Sequence, residues 1–117
     1  MRKDNIVQIK SYAFAVKFVK IYKYLCENKK EFTLSKQLLR SGTSIGANIE
    51  EAIGGQSGKD FYAKLTISYK KARETHYWIR LLKDTNYLSE QESIELLYDT
   101  DELLRIIGSI QKTLRNS

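Results

Sequence analysis

The segment 37–52 is the feature that most restricts how this chain can fold. It is rich in Gly, Ala, Ser and Thr, yet its apolar residues recur at helical spacing. At about 100° per residue, one side of the predicted helix carries Leu38, Gly42, Ile45, Ile49, Ala52 and Ile53. The opposite side carries Arg40, Ser44, Asn48 and Glu51. Because each interior Gly costs a helix about 1 kcal/mol, we expect close packing against neighbouring helices to stabilise this segment.

The rest of the chain predicts three further helices, because its long segments have helical periodicity and it contains no Pro. The predicted helices span residues 5–27, 33–53, 59–84 and 89–114. Short turns between consecutive helices favour antiparallel neighbours. The predicted fold is therefore all-α, an antiparallel up-and-down four-helix bundle, in one domain over residues 1–117.

Polar and Gly residues predict where these helices begin and end. Thr33 or Ser35 is expected to cap the second helix and Ser57 the third. Residues 89–92 have the S-x-x-E form of a capping box for the fourth helix. Residues 54–55, a Gly pair, are expected to stop the second helix in the left-handed conformation.

The first helix carries two apolar stripes, whereas a helix at the edge of a monomer needs only one. One stripe consists of Val7, Phe14, Phe18, Ile21 and Leu25, and the other of Ile9, Tyr12, Val16, Val19 and Cys26. Two stripes indicate two sets of neighbours, either within the bundle or across a subunit boundary. The third helix has a single core face: Phe61, Leu65, Ser68, Ala72, Thr75, Ile79 and Leu82. We expect its small residues to pack against the small residues of the second helix.

The sequence does not favour an enzyme, a metal site or a cofactor. It has one histidine, His76, and lacks the Glu-x-x-His pairs of di-iron bundles. His76 is expected at the surface, and Cys26 is expected as a packed thiol because no Cys or His lies near it in sequence. A single Cys and the lack of a long apolar run favour a cytoplasmic protein with no membrane partner.

The charge of the chain is uneven, and its basic part could attract a polyanion, although many intracellular proteins this basic bind none. Residues 1–83 hold 17 basic and 7 acidic side chains, or +10, whereas residues 84–117 hold 3 and 7, or −4. Basic side chains neutralise phosphates, and aromatic rings stack on unpaired bases. The candidate nucleic-acid-binding residues are Lys10, Lys17, Lys20, Tyr62, Tyr69, Arg73 and Arg80. The alternative for the two Tyr residues is packing beside the core.

A second set of residues is a candidate oligomer or partner interface. Its members are Arg40, Asn48, Glu51, Trp78 and Leu81. The polar members have an alternative interpretation as a solvated helix face with local hydrogen bonds and ion pairs. Eight Tyr and one Trp in so short a chain also fit an aromatic-rich protein–protein interface.

Several motifs resemble those of a known family. They are residues 10–15 (Lys-Ser-Tyr-Ala-Phe-Ala), residues 32–52 with the pattern Gln-Leu-x-Arg-Ser…Ser-Ile-x-x-Asn-Ile-x-Glu, and the groups Phe61, Tyr62, Lys64, Leu65 and Ala72, Glu74, Thr75, Trp78, Leu81. In these motifs the chain resembles the bacterial 23S rRNA intervening-sequence proteins, and it is similar to the accessory proteins of diversity-generating retroelements. The resemblance implies a homopentamer of four-helix bundles, with RNA or a protein such as a reverse transcriptase as partner.

Two hypotheses on function follow. The first is a non-enzymatic, ring-forming protein that binds RNA through Lys, Arg and Tyr side chains. The alternative is a scaffold or accessory subunit that binds a protein partner and has no direct role with nucleic acid.

Overall fold

The computed structural model describes residues 3–116 and the side chains of residues 6–116. It contains four helices: α1 Lys3–Asn28, α2 Leu34–Ile53, α3 Gly58–Asp84 and α4 Glu90–Arg115. The described part of the chain has no strand. The four predicted helices are thus confirmed, with every end within two residues of its expected position.

Each helix packs against two others. α1 packs on α2, α2 on α3 and α3 on α4, while α4 returns to α1 along the least extensive of the four contacts. The bundle measures 47 × 22 × 22 Å, which suits helices of 26 residues lying side by side, since such a helix is about 39 Å long. This arrangement is the up-and-down four-helix bundle that the sequence predicts.

The core lies along the bundle axis and uses the predicted apolar faces. The buried apolar side chains of α1 and α2 are Val7, Phe14, Phe18, Leu25, Leu38, Ile45, Ile49 and Ala52. Those of α3 and α4 include Leu65, Ala72, Ile79, Leu82, Leu96, Leu103 and Ile107. Ile53, which the sequence places on the same side of α2, does not join the core: it is the last residue of α2 and its side chain is 40% exposed.

Helix ends follow the sequence in α3 and α4. Ser57 accepts a hydrogen bond from the Asp60 N–H at 3.1 Å. Ser89 and Glu92 form the expected reciprocal capping box, with N–O distances of 3.1 and 3.0 Å. Local sequence was enough to place these ends because each cap involves residues only three positions apart.

The two ends of α2 differ from expectation. Thr33 occupies the N-cap position but its side chain makes no capping hydrogen bond, and Ser35 lies inside the helix. The Glu31 carboxylate accepts from the Ser35 N–H at 2.8 Å instead. At the other end, α2 stops at Ile53, directly before the Gly pair as expected, but Gly54 has φ −81°, so the left-handed conformation expected there is wrong. The left-handed conformation is found instead in the other two turns, at Lys30 with φ 54° and Asn86 with φ 69°.

The small residues of α2 pack against two neighbouring helices, α1 and α3. Its glycines face α1: a Cβ on Gly42 would lie 2.7 Å from Cγ of the Phe18 ring, and one on Gly46 would lie 3.2 Å from the Ser11 carbonyl oxygen. The prediction that these small residues pack on α3 is therefore wrong for both glycines. Close approach of α1 and α2 requires Gly at 42, because the fully buried Phe18 ring fills the space of a side chain.

The contact of α2 with α3 is polar at its centre. The Ser68 hydroxyl donates to the Ile45 carbonyl at 2.9 Å, and Thr75 Oγ1 lies 3.0 Å from Ser41 Oγ. All three hydroxyl-bearing residues are fully buried. The expectation that small residues of α3 pack closely on α2 is confirmed, and hydroxyl groups rather than glycines make the contact.

Candidate nucleic-acid interface

The predicted Tyr and Arg residues of α3 lie on the side of the bundle that faces α4. Tyr69 is half-buried against the core, with its ring over Gly108 of α4, where a Cβ would lie 3.7 Å from Tyr69 Cε2. The Tyr62 hydroxyl accepts a hydrogen bond from Arg115 NH1 at 3.0 Å. Both rings therefore contribute to the α3–α4 contact, which matches the packing alternative more closely than free stacking platforms.

Arg73 and Arg80 are both exposed, and they border one cleft between α3 and α4. This α3–α4 cleft has a volume of about 340 Å³ and is lined by Arg73, His76, Arg80, Asp101 and Leu104. The structure thus brings together two candidate residues that are seven positions apart in sequence. Since arginine donates in a planar fork that matches phosphate oxygens, the cleft is the part of the surface best suited to an anion.

The sequence did not predict that His76 lines the α3–α4 cleft. Its side chain is 28% exposed. Its Nδ1 accepts from Arg80 Nε at 3.1 Å, and its Nε2 lies 3.5 Å from Asp101 Oδ1. The i, i+4 spacing of His76 and Arg80 was a signal available in the sequence, whereas Asp101 belongs to another helix.

The candidate lysines of α1 lie on a different side and are mostly paired. Lys10 Nζ is 3.1 Å from Glu102 Oε1, and Lys17 Nζ is 2.5 Å from Asp99 Oδ2. Lys20 is exposed and has no ion-pair partner within residues 6–116. The basic excess of the first 83 residues is thus partly neutralised across the α1–α4 contact, so the charge available for a polyanion is smaller than the sequence alone indicates.

Arg40 and Trp78, two candidate interface residues, meet at one carboxylate within the chain. Glu74 Oε2 accepts from Arg40 NH2 at 2.8 Å and from Trp78 Nε1 at 2.9 Å. The Lys71 ammonium is 3.7 Å from the other oxygen. Partial burial raises the pKa of Glu74, but the Trp78 hydrogen bond and the charges of Arg40 and Lys71 outweigh it and hold that pKa below its ordinary value. This cluster joins α2 to α3.

The other interface candidates make local contacts. Asn48 Nδ2 donates to the Ser44 carbonyl one turn earlier at 2.8 Å. Glu51 forms an ion pair with Lys64 of α3 at 2.9 Å, and Leu81 is half-buried. These contacts are those of the alternative interpretation, a helix face with local hydrogen bonds and ion pairs.

An exposed apolar surface, which the interface candidates of α2 and α3 do not form, is present on α1. The second stripe predicted there is largely exposed: Tyr12 is 69% and Ile9 57% exposed, and Val16 and Val19 point outward with them. We call these four residues the α1 stripe. Beside it runs a groove of about 190 Å³ lined by Ser11, Tyr12, Ala15, Thr43, Gly46, Ala47 and Glu50. Cys26, the fifth member of the predicted stripe, is only half-exposed, with Sγ 4.0 Å from Ser35 Oγ.

The residues that the structure describes contain no group of three or more His, Cys, Asp or Glu side chains that could hold a metal ion. Among the same residues, no helix is long and apolar enough to cross a membrane.

Comparisons with known proteins agree with this architecture. The family model of the 23S rRNA-intervening sequence protein matches residues 3–109. A crystal structure of a protein with unknown function from the S23 ribosomal protein family of Bacteroides thetaiotaomicron is 49% identical, with a TM-score of 0.93. That match covers 95% of this chain and 99% of the other. No curated protein matches the sequence.

Proposed function

We propose that this chain, which belongs to the 23S rRNA-intervening sequence protein family, is a non-enzymatic RNA-binding subunit of a homo-oligomeric ring. The observation that carries the proposal is the pair of exposed guanidinium groups, Arg73 and Arg80, at the α3–α4 cleft. Neither pairs with a carboxylate in the described part of the chain, unlike Lys10 and Lys17. Two guanidinium groups without a carboxylate partner among the described residues and a net charge of +6 favour attraction of a phosphate backbone.

Filter binding of single-stranded RNA at about 50 and 200 mM salt tests this function. The wild-type protein is expected to bind more weakly at the higher salt concentration. The Arg73→Ala/Arg80→Ala variant is expected to bind more weakly than wild type and to lose about 0.7 from the log–log salt slope for each phosphate contact removed.

The matched control is Lys10→Ala/Lys17→Ala, which removes the same number of positive charges from side chains that are already paired. This variant is expected to bind RNA more tightly than the double Arg variant. An absence of RNA binding at low salt, or binding that is indifferent to salt, would overturn the proposed function.

The homo-oligomer is supported by the α1 stripe. Contiguous exposed apolar side chains on one helix are typical of a protein–protein contact, and a closed ring would bury the stripe while repeating the basic cleft in each protomer. We expect a pentamer. Light scattering at micromolar concentration checks this, and a mass of 13.6 kDa, that of one chain, would contradict it. Val16→Lys should shift the assembly toward that mass.

A second candidate function is an accessory subunit that docks on another protein, such as a reverse transcriptase. A second apolar pair favours it: Ile94 and Tyr98 lie one turn apart on the outer side of α4 and are 53% and 65% exposed. Pull-down with Tyr98→Ala distinguishes the two functions. Loss of a protein partner with RNA binding intact favours the accessory role, and Trp78→Ala is the comparison for the site predicted from sequence.

A further inference from the structure

The α3–α4 cleft has the features of a binding site for a single phosphate group. Three basic residues of α3, Arg73, His76 and Arg80, follow one another at spacings of three and four residues, and all three line the cleft. Its volume of about 340 Å³ is that of roughly ten water molecules. This space accommodates a tetrahedral oxyanion together with part of its hydration.

The guanidinium group of Arg80 is held in place by two contacts. Its Nε donates to His76 Nδ1 at 3.1 Å, and its Cζ lies 5.9 Å from the centre of the Tyr77 ring. The two terminal amino groups have no partner among the described residues. A donor that is already oriented loses little side-chain entropy when it binds an anion.

The hydrogen bond from Arg80 also sets the orientation of the His76 ring. Because Nδ1 accepts, a neutral ring carries its proton on Nε2. Nε2 faces Asp101 Oδ1 at 3.5 Å, which is longer than an ordinary hydrogen bond. The Nε2–H donor thus lies at the cleft, and its contact with Asp101 is long.

Asp101 supplies the single negative charge among the cleft-lining residues. Its side chain is 52% exposed, so it is free to turn toward water. Arg105 lies four residues later on α4, is exposed and has no partner within the described range. The i, i+4 spacing gives Asp101 an alternative cation when it leaves the cleft.

We propose that the α3–α4 cleft binds a phosphate group through Arg73, Arg80 and His76 Nε2–H, and that Asp101 is a built-in counterion which the phosphate displaces. Two guanidinium groups and one N–H donor match the acceptor oxygens of a phosphate. Because a ligand must displace the carboxylate, a strand with several phosphates competes better than a single weak anion, since its neighbouring charges add to the attraction. The inference deepens the proposed RNA-binding function and rests on it for the source of the phosphate, a strand phosphodiester.

The sharpest test is Asp101→Asn. It removes the negative charge of the cleft and should therefore strengthen the binding of RNA. One carboxylate at about 4 Å from a phosphate in water corresponds to a fivefold change in affinity, so RNA affinity should rise about fivefold. The matched control is Glu95→Gln, which removes the same charge from the same helix at an exposed position that does not line the cleft. Its effect should stay below about twofold, because Glu95 is six residues from Asp101, or about 9 Å along the helix, and salt screens exposed charges at such distances.

A second measurement follows the site directly and does not depend on RNA. The Arg80 Nε–H signal in a ¹H–¹⁵N spectrum of the full-length protein is recorded during titration with sodium pyrophosphate and, separately, with oligouridylate. A shift of that signal with either ligand, larger in Asp101→Asn than in wild type, supports the cleft. A shift with pyrophosphate alone assigns the natural phosphate to a free anion, and a shift with both assigns it to the RNA strand.

These experiments distinguish a failure of the phosphate cleft from a failure of the RNA-binding function. If RNA binds but Asp101→Asn behaves like Glu95→Gln and the Arg80 signal does not move, the phosphate cleft is refuted and the RNA-binding function stands. If RNA does not bind at low salt while pyrophosphate still shifts the Arg80 signal, the RNA-binding function is refuted and the cleft stands.

Discussion

Replacing Gly42 with Ala is expected to destabilise this protein, although Ala is the better helix former. The added Cβ would lie 2.7 and 2.8 Å from Cγ and Cε2 of the Phe18 ring, and closer still to Cδ2. Carbon atoms attract one another best at about 3.5–4.0 Å. Phe18 is fully buried and its ring meets Phe14 edge-on, with centroids 4.3 Å apart. The ring therefore has no open space into which it can withdraw.

The magnitude follows from two opposing effects. Ala gains about 1 kcal/mol over Gly in a helix interior. Overpacking a core by one methyl group costs about 1–3 kcal/mol, and the overlap here favours the upper part of that range. The expected net loss is about 1–2 kcal/mol, which corresponds to a decrease in Tm of roughly 4 °C for each kcal/mol in a domain of this size.

Gly108→Ala is the matched control, since it is the same chemical change in another helix. A Cβ at 108 would lie 3.7 Å from Tyr69 Cε2, which is an ordinary contact. This variant should gain up to about 1 kcal/mol from helix propensity. Gly46→Ala, with its Cβ 3.2 Å from the Ser11 carbonyl oxygen, should fall between the two.

Urea unfolding followed by far-UV circular dichroism measures these differences, at one protomer concentration because assembly shifts apparent stability. The order of stability should be Gly108→Ala, wild type, then Gly42→Ala. In a Phe18→Leu background the cost of Gly42→Ala should decrease, because the ring that it meets is gone. A Gly42→Ala protein as stable as Gly108→Ala, or a cost unchanged by Phe18→Leu, would refute the steric argument.

Three further predictions concern polar contacts. The pKa of Glu74 is lowered in the folded protein. The contribution of Glu74 to stability is therefore present above the ordinary Glu pKa of about 4.3 and is lost as the pH falls below it. Glu74→Gln should flatten the acid limb of a Tm–pH profile. Ser89→Ala should cost about 1 kcal/mol in urea unfolding, since it removes the α4 cap to the Glu92 N–H; an unchanged midpoint would contradict this. Ser68→Ala should cost about 1 kcal/mol through loss of the buried hydrogen bond to the Ile45 carbonyl, and calorimetry showing a gain in stability would refute it.

Much of the fold could be predicted from local pattern. Buried residues of α3 such as Leu65, Ala72 and Ile79 recur at helical spacing, so one face was evident without coordinates. The caps at Ser57 and Ser89 were predictable for the same reason, since donor and acceptor are three residues apart. The start of α2 was not, because a Glu31 carboxylate reaching the Ser35 N–H lies outside the usual capping pattern.

The candidate site was less accessible to sequence reasoning. Arg73 and Arg80 were correctly placed on one side of α3, but whether they were paired depended on residues of α4. Lys10 and Lys17 look equally available in the sequence, yet Glu102 and Asp99 lie beside them. These partners are more than 80 residues away along the chain, at positions where the sequence shows only acidic residues of another helix.

By itself, the sequence determined four helices, the residues that share each face, most helix ends and the family. These properties depend on the period of the helix and on groups within one turn of each other. Only the tertiary structure decided that Gly42 faces Phe18 of α1, that two lysines are neutralised, and that His76 and Asp101 meet at one cleft. The physical reason is that the helical period specifies angles within one helix, whereas the rotation of each helix against its neighbours is set by how the whole core packs.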